Sequence, residues 1–294
     1  MRRAGRGAAA ATGMIWPAFL DMAFMRHAFA AGTCVAIAGS AIGYFVVLRR
    51  QAFASHALAN VGFAGAAGAS LLGVDPMLGL FVFVFGAAAV MHMGGSELGE
   101  RDVSVGMILM FSLGLGILFV NLYSANANAA IGILFGSLYG VNGVQLATTA
   151  GVSLAVLAAL TILFRPLRFA SLNPGAARAR GIPVARVGLL FLLLLAAMAA
   201  VAVPVIGALL SFAIFIGPAA AAQAWTKRVA SGLALTVGLA LAETWSGIIA
   251  SYYIDLPASS AIAGASFAVY ALAWLTTHSW RLPHALAGPT KPGT

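Results

Sequence analysis

Apolar runs long enough to cross a bilayer, separated by short polar breaks, make up most of this 294-residue chain. A helix needs about 20 apolar residues to cross the hydrocarbon. By that length the pattern predicts nine spans, at 25–48, 52–73, 77–94, 103–123, 144–164, 187–203, 205–224, 230–253 and 257–277. No linker between them is long enough to separate two domains. The expected organisation is an N-terminal tail (1–24), one transmembrane domain (25–280) and a short cytoplasmic tail (281–294). The fold class is all-α, a polytopic membrane helix bundle.

Three features modulate the pattern. Gly39 and Gly43 form a GxxxG pair in the first span, a spacing that lets helix backbones approach closely. Gly132, Gly136 and Gly140 form two more in series, in a stretch too short to span. A re-entrant or half helix lining a cavity is expected there. Pro218 lacks the amide proton its turn needs, so it should kink or break the seventh of the spans.

Composition agrees with lipid as the main solvent: 62% of residues are hydrophobic, and mean hydropathy is +1.00. The net charge of +9 is therefore a topology signal and not a nucleic-acid footprint. Alternating nine spans puts Arg49, Arg50, Arg101, Arg165, Arg168, Arg178, Arg180, Arg186, Lys227, Arg228, Arg281 and Lys291 on one face. The opposite loops carry none. By the positive-inside rule the basic face is cytoplasmic, with the C-terminus inside and the N-terminus outside. Arg2, Arg3, Arg6 and Arg26 fall on the other side. Either the translated chain starts at Met22 or Met25, or the tail folds back. Ala28-Phe29-Ala30 loosely resembles a signal cleavage site, but Pro17 and Asp21 interrupt the apolar run before it. Cys34 stands alone in an apolar run and allows no internal disulfide.

Several enzyme classes are unsupported. There is no GxxxxGK[ST] to hold nucleotide phosphates, no HExxH and no GxSxG. Polar groups inside spans are the remaining candidates, since they are costly in lipid. His56 and Asn60 lie four residues apart on one face of the second span. An imidazole and an amide oxygen can give transient ligands to a divalent cation. Equally, they can form a hydrogen-bonded pair that ties two helices together. Glu243, near the middle of the eighth span, either steers cations along a wet path or is a protonated structural acid. His92 sits between Met91 and Met93, but adjacent helical residues face different ways, which favours a solvated or packing role. Asp75 and Asp255 precede Pro76 and follow Ile254 at the outer mouths, where turn formation and a weak cation-attracting field are both open. Asn121, Asn126 and Asn128 read as loop residues.

The longest polar interruption, Arg165 to Arg186, reads RPLRFASLNPGAARARGIPVAR. Asn173 and Pro174 suit an N-cap and first helical position. Ala176 to Arg180 favours helix, Gly181 can end it and Pro183 prevents continuation. A two-turn helix outside the membrane is predicted, either a docking element for a partner or part of a solvated basic loop.

Four stretches in order, GYFVVLRRQAFASHALANVGFAG, ILFGSLYGVN, SLNPGAARARGI and VIGALLSFAIFIGPAAAA followed by YYIDLPAS, resemble the permease subunits of bacterial ABC importers for zinc, manganese or iron. The resemblance runs from about Met25 to Leu275. It implies a fold similar to the vitamin B12 importer permease and a location in the bacterial inner membrane. It implies a pathway for a divalent metal ion, with no cofactor in this chain. The implied partners are a second copy of the chain, a cytosolic ABC ATPase and a periplasmic or lipid-anchored metal-binding protein. Asn173, Pro174, Ala176, Ala177, Arg178, Arg180 and Gly181 match the coupling helix that sits on the ATPase. In that family the second span usually carries an acid followed four residues later by a histidine. Here those positions are His56 and Asn60, which gives a less acidic pathway. The coupling segment also lacks the usual acids, having Asn173 and Gly175 instead, so its contacts rest on Arg178, Arg180 and shape. A self-contained ion-coupled transporter using Glu243 is the alternative reading.

Overall fold

In the computed structural model the described residues are 22–94, 98–122, 136–254 and 256–278. They contain α1 (Ala23–Leu48), α2 (Ala52–Leu71), α3 (Pro76–Met93) and α4 (Leu98–Leu122). After a 3-10 turn (Leu138–Gly140) come α5 (Gly143–Leu172), α6 (Pro174–Ala179), α7 (Val184–Ile206), α8 (Ala208–Trp225), α9 (Val229–Ile254) and α10 (Ala258–His278). No strand is present among the described residues. Ala23 and Phe24, expected in the tail, form the first turn of α1, and Phe24 packs edge-on to Tyr139 at 6.1 Å. The rest of the two expected tails lies outside the described residues.

Eight of these helices are long and apolar enough to cross a membrane. The exception among the long ones is α2. At 20 residues it can span about 30 Å. Its alanines, glycines, His56 and Asn60 leave it short of the apolarity of the others. Burial supplies the reason: most of α2, from Ala54 to Ala69, is enclosed by protein. A helix that faces protein on every side does not need a lipid-facing surface. It packs on α3, α4, α7 and α8. Together with α1 and α7, it forms the centre of the bundle, while α3, α4, α5, α9 and α10 present large apolar side chains outward.

Helix ends are set by local chemistry. Asp75 accepts a hydrogen bond from the Met77 amide at 2.8 Å and caps α3, so its turn-forming role holds. Asn142 and Gln145 form a reciprocal capping box that opens α5. At the end of α1 the Gln51 amide bonds the Val46 carbonyl and the Arg50 amide bonds the Val47 carbonyl. This is a Schellman turn, with Arg50 at φ 55° in the position glycine usually takes. It turns α1 into α2 through only three residues, Arg49, Arg50 and Gln51.

Four expectations are corrected. Pro218 does not break its helix; α8 runs on to Trp225. The break falls at Gly207, with φ 90°, between α7 and α8. Of the glycine triple, Gly132 lies outside the described residues, Gly140 ends the 3-10 turn, and Gly136 is not helical: it has φ 67° and a Cβ there would overlap the Gly207 amide. Ser137 donates its amide to the Pro204 carbonyl at 3.2 Å, so this segment seats on the α7–α8 break. Finally, α5 continues through Pro166 to Leu172, eight residues beyond the predicted 164, because Leu167 and Ala170 keep burying one face. Asn121 is correspondingly in the last turn of α4 and not in a loop.

Candidate functional site: a polar pair on α2 and a short helix at the basic end

His56 lies in the second turn of α2, with its ring edge-on to Phe212 of α8 at 5.4 Å. Asn60 is buried one turn later. Its Nδ2 donates to the His56 carbonyl at 2.9 Å and lies 3.5 Å from His56 Nε2. Both contacts stay within one helix, so the pair does not tie two helices together. The arrangement leaves the Asn60 carbonyl oxygen and the imidazole as potential donors to a cation. One imidazole and one amide make a weak set; among the described residues no three His, Cys, Asp or Glu side chains gather into a metal cluster. Weak donors suit passage better than storage.

Glu243 does not join them. It lies on α9 beside Ser266 of α10. On α8, Phe212 faces His56, whereas Ala213 and Gly217 face Ser266. The helix α8 therefore stands between the two polar sites. His92 sits at the end of α3 near Gly188 of α7, away from both. Cys34 is free and half-buried on α1. Asp255, Asn126 and Asn128 lie outside the described residues.

At the opposite end of α2 from Leu71, the short helix α6 takes its predicted form. The Asn173 side chain accepts from the Ala176 amide at 3.0 Å, and Pro174 occupies the first position. Gly181, at φ 77°, completes a second Schellman turn: its own amide bonds the Arg178 carbonyl, and that of Ile182 bonds the Ala177 carbonyl. Ala177 is fully buried against the bundle and anchors the helix. Arg180 lies over the Phe169 ring at 5.1 Å. Arg178 turns toward a cleft of about 820 Å³, which Arg49, His92 and Ser171 also line. Arg49 reaches Ser171 at 3.3 Å and lies over Phe191 at 5.3 Å. These contacts bind α1, α5, α6 and α7 into one basic end, so displacing α6 pushes on three spans.

The chain matches known proteins along nearly its whole length. A model of the ABC 3 transport family covers residues 21–277. The chain belongs to that family. It is 27% identical over 270 residues to the manganese transport system membrane protein MntC of Halalkalibacterium halodurans, covering 89% of this chain and 92% of that protein. It is 25% identical over 243 residues to the manganese import system permease protein ScaB of Streptococcus gordonii, covering 82% and 87%. Among solved structures, PsaBC from Streptococcus pneumoniae in complex with Fab superposes with a TM-score of 0.80 at 25% identity, over 91% of this chain and 98% of that one. An inward-facing conformation of a putative metal-chelate type ABC transporter gives 0.69 at 17% identity, a likeness of fold alone. This ABC 3 protein is thus a multi-pass membrane permease, a transport component and not an enzyme.

Several contacts had no sequence signal. Nothing in the run around Phe212 marks it as the neighbour of His56. The Tyr139 hydroxyl donates to Ser251 at 2.8 Å, and Ser251 donates to the Leu256 carbonyl at 2.6 Å. That chain closes the end of the bundle opposite α6. It joins residues 112 apart in sequence, which no local pattern can reveal.

Proposed function

We propose that this chain is the permease of an ABC importer for a divalent metal, with manganese favoured over zinc and iron. The observation that carries the reading is the near full-length similarity to relatives named as manganese transport permeases. The chemistry of the candidate pathway is compatible: His56 and Asn60 offer nitrogen and oxygen donors, and manganese accepts both without demanding thiolates. In this reading the basic end is cytoplasmic, and the C-terminus is inside and the N-terminus outside. The short helix α6, with Asn173, Pro174, Ala176, Ala177, Arg178, Arg180 and Gly181, docks on a cytosolic ATPase. A metal-binding protein delivers to the end closed by Tyr139 and Ser251. Two copies of the chain pair to form the pathway. ATP-driven movement of α6 is transmitted through Ala177 and the α5 and α7 ends, shifting access to His56 and Asn60. The ion-coupled alternative is disfavoured by the match to the ABC 3 transport family along residues 21–277.

The test is uptake into proteoliposomes holding the permease, the ATPase and the delivery protein, with manganese, zinc and iron compared. His56→Ala is expected to reduce uptake several-fold while the complex assembles at wild-type yield. Unchanged uptake would return His56 to a packing role. ATP-independent uptake that collapses with the proton gradient would overturn the importer reading.

A further inference from the structure

We infer that the basic cleft beside α6 is a binding site for the phosphate of an anionic phospholipid, whose acyl chains lie along α3 and α7. Five helices line it, with Arg49 from α1, His92 and Met93 from α3, Ser171 from α5, Arg178 from α6 and Gly188 from α7. None of the described lining residues is acidic. Two guanidinium groups therefore share one space, and a bound anion relieves the crowding of like charge.

The donors are in place before any ligand arrives. A Cβ on Gly188 would stand 3.4 Å from Arg49 Nη2 and 3.8 Å from His92 Cε1, so these two side chains converge on one glycine of α7. Ser171 and Phe191 hold the Arg49 guanidinium from other sides, at 3.3 Å and 5.3 Å. A guanidinium presents a fork of N–H groups that matches phosphate oxygens, and an imidazole adds a further N–H. Val184 and Ala185, in the first turn of α7, also line the cleft. They bring the positive end of a 23-residue helix to the same space.

Depth selects a lipid over a soluble anion. Apolar sequence gives way to polar at Arg49 in α1 and at His92 in α3, so the lining starts at the edge of the hydrocarbon. It extends to Ser171, Pro174 and Arg178, past the apolar run of α5 that ends at Arg165. Lipid head groups occupy that layer, and basic pockets between helices at that level suit anionic ones. A surface for the chains adjoins the site for the head. Val90 and Met93 on α3 and Leu190 on α7 are large, apolar and exposed, each within a turn of His92 or Gly188. A free phosphate would use the arginines and leave that surface bare. A phosphate held by both Arg49 and Arg178 would tie α6 to the end of α1. Such binding is independent of the ion carried, so its test needs no transport.

The test is native mass spectrometry of the full chain, purified in dodecylmaltoside and titrated with dioleoylphosphatidylglycerol or dioleoylphosphatidylcholine. A single tightly retained phosphatidylglycerol is expected, with weaker retention of phosphatidylcholine, whose choline offsets the phosphate charge. Arg178→Gln should weaken retention about five-fold, the effect of one basic side chain beside an anionic head group. Ala185→Trp obstructs the cleft while keeping every charge, and should also weaken it. Arg178 is exposed, so its variant still reports if the tryptophan disturbs the bundle. Arg186→Gln removes an exposed arginine that does not line the cleft, and should leave retention unchanged. Equal losses in Arg178→Gln and Arg186→Gln would reduce the effect to general surface charge and overturn the site. Phosphatidylcholine retained as tightly as phosphatidylglycerol would overturn it too. Glycerol phosphate binding as tightly as the lipid would make this a soluble-anion site and overturn the lipid assignment. Unchanged lipid in Ala185→Trp, with loss of co-purified ATPase, would give the cleft to an acidic segment of that partner instead.

Discussion

A methyl group on Gly43 would overlap the main-chain carbonyl of Phe215, so α1 and α8 meet backbone to backbone at the centre of the bundle. The other glycine of the pair, Gly39, faces only the edge of the Phe215 ring. A side chain can adjust where a carbonyl cannot. Gly43→Ala is therefore expected to destabilise more than Gly39→Ala, with overpacking of the order of 1–3 kcal/mol or beyond. Melting of the purified variants in detergent checks the ranking; equal effects would show that the α1–α8 contact is looser than this geometry.

The short helix α6 is held by two separate devices, and each can be removed. Asn173→Ala deletes the cap on the Ala176 amide and should cost about 1 kcal/mol. Gly181→Ala has open space around its Cβ but must adopt φ 77°, which should cost about 1–2 kcal/mol. Both variants are expected to retain the bundle and to lower the yield of co-purified ATPase. Full yield from both would mean that α6 does not carry the docking.

The two arginines of α6 differ in their surroundings. Arg180 lies over Phe169, and Arg180→Glu should lose about 0.5–1 kcal/mol from that contact. Arg178 lines the basic cleft, and Arg178→Glu relieves crowding of like charge there. Its melting temperature should therefore match or exceed wild type. The double reversal should weaken ATPase binding, read by pull-down at two salt concentrations.

At the other end, Tyr139→Phe removes one hydroxyl from the chain that runs through Ser251 to the Leu256 carbonyl. The expected loss is about 1 kcal/mol. Ser251→Ala breaks both bonds and should cost roughly twice as much. Because they share one chain, the double variant should resemble Ser251→Ala alone, and simple additivity would show that the two bonds are independent.

Much of this architecture was readable from local pattern. Spans could be counted because lipid imposes a length of apolar residues on each helix. The short helix could be placed because Asn-Pro and Gly-Ile-Pro fix its two ends through backbone geometry. What escaped was set by neighbours. The helix α5 outlasts its apolar run because Leu167 and Ala170 find partners to bury against. Pro218 is tolerated within α8, whereas the turn at Gly207 was hidden in an unbroken apolar stretch. The glycine triple looked helical by spacing, yet Gly136 serves a left-handed turn against Gly207.

The sequence alone determined that this is a membrane bundle, which face carries the basic charge, and where a short helix interrupts the spans. Those properties follow from transfer free energy and from backbone chemistry over a few residues, and they need no partner. Only the tertiary structure decided that His56 meets Phe212 and bonds within its own helix. The tertiary structure also set Glu243 beside Ser266, across α8 from His56. Which way a polar side chain faces in a bundle depends on the rotation and crossing of helices far apart in the chain. Those are fixed by packing of small residues such as Gly43 against one particular carbonyl.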